Sequence, residues 1–196
     1  MTERSRGRPR DGSVDTAVVE AAVAEIAEKG LTATTMEAIA ARAGIGRATL
    51  YRRWPNKTAL LYYCADQLAE IIQPADTGNL RKDLLTVFEP LAELSYGDGP
   101  LALLAPAFIA AAAHDQQMRT FVADNVVSRR SGAIVALRRA RQRGDLRRGV
   151  NINITVDMIA GALSDRAYLL GKPVTSAYVR NVIDQAIAGI VAERGS

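Results

Sequence analysis

The amino-acid sequence predicts an all-α protein of 196 residues. Apolar side chains recur at the three- and four-residue spacing of helices along most of the chain. Stretches rich in glycine and proline separate these periodic segments, and no alternating run bounded by turn residues predicts a strand. Hydrophobic residues make up 48% of the sequence, which is ordinary for a chain that buries a core.

The single cysteine and the single histidine restrict the chemistry that the chain can perform. Cys64 and His114 exclude an internal disulfide and any metal site built from several Cys or His ligands, and no glycine-rich phosphate loop is evident. We therefore expect no enzyme activity, no metal and no cofactor. The sequence lacks an apolar run of about 20 residues and a secretory signal, so we expect a cytoplasmic protein with no membrane partner.

The N-terminal segment is expected to hold a basic arm followed by two helices. The first 12 residues, MTERSRGRPRDG, have little to bury and are expected to be flexible. Apolar spacing from Val14 predicts a helix that ends at Gly30. In TTMEAIAARAG, Thr34 is expected to cap the second helix, with Glu37 three residues later completing a capping box.

A third helix is expected to begin near Arg47, directly after a glycine turn. Gly44 stands where the end of a helix favours a left-handed residue. Pro55 ends the third helix, and Asn56 caps a fourth helix that runs to about Ile72. The close spacing of the second and third helices predicts a helix-turn-helix, whose second helix enters the major groove of DNA.

The rest of the chain is also predicted to be helical. The stretches QPADTGN, GDGP and RGDLRRGVN break the helical pattern. The segments between them predict helices at about 79–96, over LALLAPAFIAAAA, at 115–143, at 153–171 and at 175–193.

The recognition helix, residues 47–53, divides into an anchoring face and an exposed face. Ala48, Leu50 and the turn residue Ile45 are expected to face the core, with Trp54 wedged beneath the helix. The run RATLYRRWPNK contains no acid, as expected of a helix that approaches phosphates. A basic, solvated helix in an ordinary bundle is the alternative. The side chains left to meet DNA are Arg47, Thr49, Tyr51, Arg52 and Arg53.

The stretch TTMEAIAARAGIGRATLYRRWPNKTALL resembles the DNA-binding signature of the TetR family of bacterial regulators, closely over about residues 14–62. The resemblance implies a repressor that binds palindromic double-stranded operator DNA as a homodimer and is released by a small-molecule inducer. It implies a helix-turn-helix domain at 13–57 and a helical ligand-binding and dimerisation domain at 58–196. Gly46 stands where the family often has serine, which weakens a helix cap. Phosphate contacts are implied for Thr35, Thr49, Tyr51 and Lys57, and base-edge contacts for Arg47 and Arg52.

The sequence RGRPR in the arm resembles the core of an AT-hook. Proline keeps the preceding Arg8 extended, and Gly7 has no side chain to clash in a narrow groove. Arg6 and Arg8 are then expected to enter an A/T-rich minor groove. A basic tail that adds only nonspecific attraction to phosphates is the alternative.

The resemblance also assigns roles to the C-terminal helices. In this family the last two helices commonly form a four-helix dimer interface, and the last predicted helix carries an apolar stripe that includes Val182, Ile187 and Ile190. Part of this surface also fits an intramolecular core. The preceding helix offers Val156, Ile159, Ala160, Leu163, Ala167 and Leu170.

The middle helices, by the same resemblance, enclose an inducer cavity. Arg166 and Asp165 are candidates to orient a polar group of the ligand or to pair with each other. The predicted ligand is mostly hydrophobic or aromatic. Each apolar candidate also fits an ordinary core, and a protein that binds DNA without any ligand is the alternative function. The apolar candidates are Phe88, Leu104, Phe108, Met118, Phe121 and Tyr168.

Overall fold

The computed structural model describes residues 12–67 and 73–191, and in these residues the predicted all-α class is confirmed. The only β pairing among them is an isolated bridge between Leu146 and Val191. The described helices are α1 (Gly12–Ala33), α2 (Met36–Arg42), α3 (Arg47–Arg53), α4 (Lys57–Gln67), α5 (Leu80–Tyr96), α6 (Pro100–Ala112), α7 (Gln116–Gln142), α8 (Ile152–Ser164), with a π-helical turn at Asp165–Leu169, and α9 (Ser176–Ile190).

The chain divides into two compact units between α4 and α5. In the N-terminal unit α1 packs against α2 and α4, and α2 packs against α3. Val18 and Ile26 of α1, Ile39 of α2 and Leu60 of α4 are almost completely buried. The prediction placed α4 in the C-terminal domain, whereas α4 helps to build this first core.

Gly30 interrupts α1 as the sequence predicts. Its backbone has φ 77° and ψ 161°, outside the helical region. A residue with a Cβ rarely adopts such angles, so glycine is suited to this position. One more helical turn follows, to Ala33.

The cap of α2 is Thr35, and the prediction of Thr34 is wrong by one residue. Thr35 has the extended backbone of an N-cap, and its hydroxyl oxygen accepts a hydrogen bond from the Ala38 N–H at 3.2 Å. Thr34 is buried, and its hydroxyl donates to the Gly30 carbonyl at 2.9 Å. The capping box is also wrong, because the Glu37 carboxylate accepts hydrogen bonds from two side chains of α3 instead.

The turn between α2 and α3 is closed by backbone hydrogen bonds around Gly44. This glycine has φ 67°, the left-handed conformation predicted for it. Beyond it, the Ile45 N–H donates to the Ala40 carbonyl at 3.0 Å. These bonds satisfy the end of α2 and set the direction in which α3 starts.

The C-terminal unit consists of α5 to α9 around one apolar core. α5 packs against α7 and α9, while α8 packs against α7 and α9, and α6 covers another part of α7. Four helices of the unit begin at a side chain that accepts a backbone hydrogen bond, which fixes where each starts. The capping residues are Asn79, Asp115, Asn151 and Thr175.

In the described part of the chain, no single helix has the length and apolar character needed to cross a membrane. α5 and α6 meet that requirement only as a pair bent by 75°.

Candidate nucleic-acid interface

α3 is anchored on the N-terminal unit by Leu50 and by the residue that follows the helix. Leu50 is fully buried, and Trp54 is buried with its ring centroid 5.0 Å from that of Tyr63 on α4. Ala48, predicted to be a second anchor, is exposed. Residues advance by about 100° around a helix, so Ala48, two residues before Leu50, lies on nearly the opposite face of α3.

Salt bridges also fix α2 and α3 against α1. Arg42 of α2 donates to Glu25 at 2.9 Å and pairs with Glu28, both on α1. Arg53 of α3 pairs with Asp15 of α1. Arg53, predicted to face DNA, is half-buried, and its guanidinium holds the end of α3 to α1.

The exposed face of α3 carries Arg47, Tyr51 and Arg52. Glu37 of α2 connects two of them, since its Oε1 accepts from Arg47 at 2.5 Å and from the Tyr51 hydroxyl at 3.0 Å. A hydrogen bond from its own backbone N–H, followed by those from Tyr51 and Arg47, lowers the pKa of Glu37. The same contact raises the pKa of Tyr51.

Arg52 is positioned differently from its neighbours on α3. It is exposed, and within the described residues its side chain makes no hydrogen bond or ion pair. Its guanidinium therefore keeps all five N–H donors available for an outside acceptor. Exposed Ala48 lies on the same face, a placement that the sequence analysis missed because a small apolar residue resembles a core position.

Three further predicted contact residues border this face. Thr35 is exposed, and because its hydroxyl oxygen accepts the capping hydrogen bond, its O–H remains available to donate. Thr49 is half-buried on α3. Lys57, at the start of α4, donates to the carbonyls of Leu31 and Thr34, both at 2.9 Å. One of its three N–H donors is then left.

The predicted basic arm, with Arg6, Arg8 and the RGRPR sequence, lies outside the described residues. Only Gly12 of that segment is described, as the first residue of α1.

The structure separates the apolar ligand candidates into different parts of the C-terminal unit. Phe88 is fully buried in a core cluster of α5, α7, α8 and α9. Leu104 and Phe108 are buried on α6, and Met118 is buried on α7. The rings of Phe108 and Phe121 meet edge to face, with centroids 6.1 Å apart.

Two further ligand candidates, Arg166 and Tyr168, are engaged within the protein. The Arg166 guanidinium lies 4.2 Å from the ring centroid of Tyr178, and its Nε donates to the Pro173 carbonyl at 2.8 Å. Tyr168 donates to the Ser95 carbonyl at 3.0 Å. Burial raises the pKa of Tyr168. Arg129 acts electrostatically on this tyrosine.

Most α8 residues predicted for a dimer interface lie in the core of the protomer. Val156, Ile159, Ala160 and Leu163 are buried by the chain itself, because they form the face of α8 that meets α7 and α9. Ile154 and Met158 of α8 are instead 56% and 65% exposed. Leu169, in the π-helical turn, is exposed as well.

A helix-turn-helix with a basic, outward-facing second helix defines a DNA-binding protein. The family model described as "Bacterial regulatory proteins, tetR family" matches residues 18–64. The one described as "Tetracyclin repressor-like, C-terminal domain" matches residues 74–186. The chain belongs to the TetR family of helix-turn-helix transcriptional regulators.

Relatives with similar lengths support this assignment. The uncharacterized HTH-type transcriptional regulator YdeS of Bacillus subtilis is 31% identical over 193 residues, covering 97% of this chain and 96% of YdeS. The DNA-binding transcriptional repressor TetR of Mycobacteroides abscessus is 26% identical, covering 95% and 96%. The SmeT–triclosan complex matches in fold with a TM-score of 0.72 and 23% identity, covering 92% of this chain and 93% of SmeT.

Proposed function

We propose that the protein is a repressor that binds palindromic operator DNA as a homodimer and leaves it when a small, mostly hydrophobic molecule binds the C-terminal unit. The observation that carries the DNA-binding part is the exposed face of α3, where Arg52 has no partner among the described residues. DNA binding also fits a protein that works in the cytoplasm of a bacterium.

The roles of the contact residues follow from the donors that each one leaves available. Arg52 and Arg47 are long enough to reach base edges, where a guanidinium matches the two acceptors of guanine. Arg47 has to exchange Glu37 for DNA, because the carboxylate binds it in the free protein.

Phosphate contacts follow from the hydroxyl groups and the remaining lysine donor. The free O–H of Thr35 and the third donor of Lys57 suit phosphate oxygens. Tyr51 donates to Glu37 in the free protein, so it too has to exchange partners before it contacts phosphate. Thr49 belongs with this group, and Arg6 and Arg8 are proposed to add contacts in the minor groove.

Dimerisation is supported by the unpartnered apolar face of α8. Ile154 and Met158 are one helical turn apart, so they share a face. A symmetric contact between two copies would cover this face and place two recognition helices on one DNA duplex.

The sensor role is supported by family membership and by the apolar interior of the C-terminal unit. SmeT, a structure of the same fold, is a complex with triclosan. By analogy the candidates for ligand contact remain Phe88, Leu104, Phe108, Met118, Phe121, Arg166 and Tyr168. Arg166 is the weakest of them, because Pro173 and Tyr178 already engage its guanidinium.

The test is release of the protein from DNA by compounds. Fluorescence anisotropy with an operator selected from random DNA should show tight binding that a hydrophobic compound reverses. Leu104→Trp or Phe108→Trp should blunt release while leaving ligand-free DNA binding nearly unchanged. Failure of every compound to release the wild type would leave a ligand-independent DNA-binding protein, which the complete burial of Phe88 and Leu104 also favours.

A further inference from the structure

Arg129, in the middle of α7, is a cation without a paired anion among the described residues. Its Nε is buried and has no hydrogen-bond partner, and the side chain forms no ion pair with any described residue. The next residue, Arg130, pairs with Asp157 at 2.9 Å. Burying a polar group without a partner is costly, so the unpaired Nε–H of Arg129 requires an explanation.

Among the described residues, the charged or ionisable groups that act on Arg129 are two tyrosines. Arg129 is close enough to Tyr96 and Tyr168 for their electrostatic interaction to act on it. The two rings meet nearly edge to face, with centroids 5.3 Å apart. Burial lowers the pKa of Arg129, as expected where no negative charge compensates the cation.

Among the described residues of this cluster, only Arg129 has hydrogen-bond donors without an acceptor. Ser164 donates its only proton to the Ala160 carbonyl at 2.8 Å, so Tyr96 donates to Ser164 at the same distance. Tyr168 donates to the Ser95 carbonyl. Both phenol protons are thus committed, and the donors of Arg129 are available for a further acceptor.

A π-helical turn builds one wall of this cluster. The Leu170 N–H donates to the Asp165 carbonyl at 3.0 Å, five residues back. This irregular turn carries Tyr168. π-helical turns inside helices are often found at functional sites, which is compatible with ligand binding here.

We propose that Arg129 binds the carboxylate of a small monocarboxylic acid beside Tyr96 and Tyr168, with the apolar body of the acid along the adjacent core. The inference rests on the proposed function, because the acid would be the molecule that the C-terminal unit senses. Arg130 is neutralised by Asp157, so the cluster offers one unpaired positive charge. A monoanion balances that charge, whereas a phosphate dianion would leave a negative charge in partly buried surroundings.

The ligand binds through its head group and its body in different ways. The guanidinium fork matches a carboxylate with two parallel hydrogen bonds. Tyr96 packs against the core cluster that contains Phe88 and Leu163, so a ligand held at Arg129 would have apolar side chains beside its charged end. An alcohol with the same body would lose the charged contact and keep the apolar one.

The experiment uses the full chain and sets of probe compounds that share one hydrocarbon part and differ only in the head group. Thermal shift and calorimetry are recorded with linear carboxylates of six to sixteen carbons and with phenylacetate and phenylbutyrate, each below its micelle concentration. The matched probes are the corresponding primary alcohols and alkyl phosphates. We expect at least one carboxylate to raise the melting temperature of the wild type and to bind more tightly than its alcohol and its phosphate.

Two variants separate binding from structure. Arg129→Met should weaken the best carboxylate by about 10–100-fold, the effect of losing a charge-assisted contact. Without ligand it should melt about 2–4 °C higher than the wild type, because it removes an unpartnered charge. The control Arg130→Met should leave carboxylate affinity within about twofold of the wild type.

Several results would overturn the inference. These are no carboxylate binding in the panel, equal affinity for the alcohols, or unchanged carboxylate affinity in Arg129→Met. A shift of Arg129→Met from dimer to monomer in sedimentation would instead show that an acid of a second copy pairs with Arg129. Operator binding is measured in parallel: if it persists while no carboxylate binds, only this inference fails, and if it is absent the proposed function fails.

Discussion

Glu37 holds two of the proposed DNA-contacting side chains in place before DNA is present. Its carboxylate accepts from Arg47 and from Tyr51, and its lowered pKa keeps it ionised at neutral pH. The contact therefore persists until the pH falls through that lowered pKa. DNA binding requires both side chains to exchange Glu37 for new acceptors, whereas Arg52 is available at once.

Lys57 has a structural role in addition to any contact with phosphate. Lys57→Ala removes two hydrogen bonds, to the carbonyls of Leu31 and Thr34. We expect it to lower the free energy of unfolding by about 1–3 kcal/mol and to reduce the salt slope of DNA binding by about one. Urea unfolding and salt-dependent anisotropy measure the two effects, with exposed Lys82→Ala as the control. An unchanged unfolding midpoint would make Lys57 a phosphate contact only.

Cys64 reports on the folding of the N-terminal unit. It is fully buried, and burial raises the pKa of Cys64 to about 12. At pH 8 the thiolate fraction is then on the order of 10⁻⁴, so a thiol reagent should label Cys64 only after unfolding. Because folding raises this pKa, its contribution to stability is fully present below about pH 8.5, the value of a free thiol, and is lost as the pH rises towards 12. Rapid labelling of the native protein at pH 8 would contradict the burial.

At the scale of the elements, the two glycines between α2 and α3 should respond in opposite ways to a side chain. Gly44 has φ 67° and no atom within 4 Å of an added Cβ, so Gly44→Ala should cost about 1–2 kcal/mol through backbone strain alone. Gly46 caps α3 with an ordinary φ of −69° and no side-chain hydrogen bond. Gly46→Ser should raise the free energy of unfolding by roughly a few tenths of a kcal/mol. Urea unfolding of both variants checks the pair, and equal effects would refute it.

The sequence predicted those elements whose ends depend on local chemistry. Gly30, Gly44 and Asn56 act on their own turn of backbone, and each does so in the structure. The contacts that were not predicted join distant positions. Arg53 and Asp15 are 38 residues apart, and no local pattern distinguishes a guanidinium that meets DNA from one that braces a helix.

Burial could be predicted only where the direction of a helix face was known. Ala48 looked like an anchor because it is small and apolar, but the heptapeptide α3 is too short for periodicity to fix its buried face. On α8 the apolar residues occupy both faces, so the sequence did not separate the core residue Ile159 from the exposed Met158.

At the scale of the whole molecule, the proposed dimer can be tested without disturbing the core of the protomer. Met158→Asp places a charge on a side chain that is 65% exposed, so the monomer should remain folded. In a dry interface that charge has no partner, and its desolvation should dissociate the dimer. Sedimentation should show a monomer, and operator affinity should fall although α3 is unchanged.

A control is available on α6. Ile109→Asp changes another exposed apolar residue, with 47% exposure, and should leave both the dimer and the operator affinity intact. Ile187 is a poorer site for this test because it packs against the protomer's own core. A dimeric Met158→Asp protein would place the interface elsewhere.

Selection of DNA from a random library tests the central claim most directly. The wild type should enrich a two-fold symmetric sequence whose half-site centres lie about 10 base pairs, roughly 34 Å, or a multiple of that distance apart. Arg52→Ala should bind that sequence about 1–3 kcal/mol more weakly and lose its preference at particular base pairs. Exposed Arg148→Ala in the C-terminal unit is the control and should select the same sequence. The account would be contradicted if the wild type enriched no symmetric sequence. It would also be contradicted if Arg52→Ala kept the wild-type preference at every base pair.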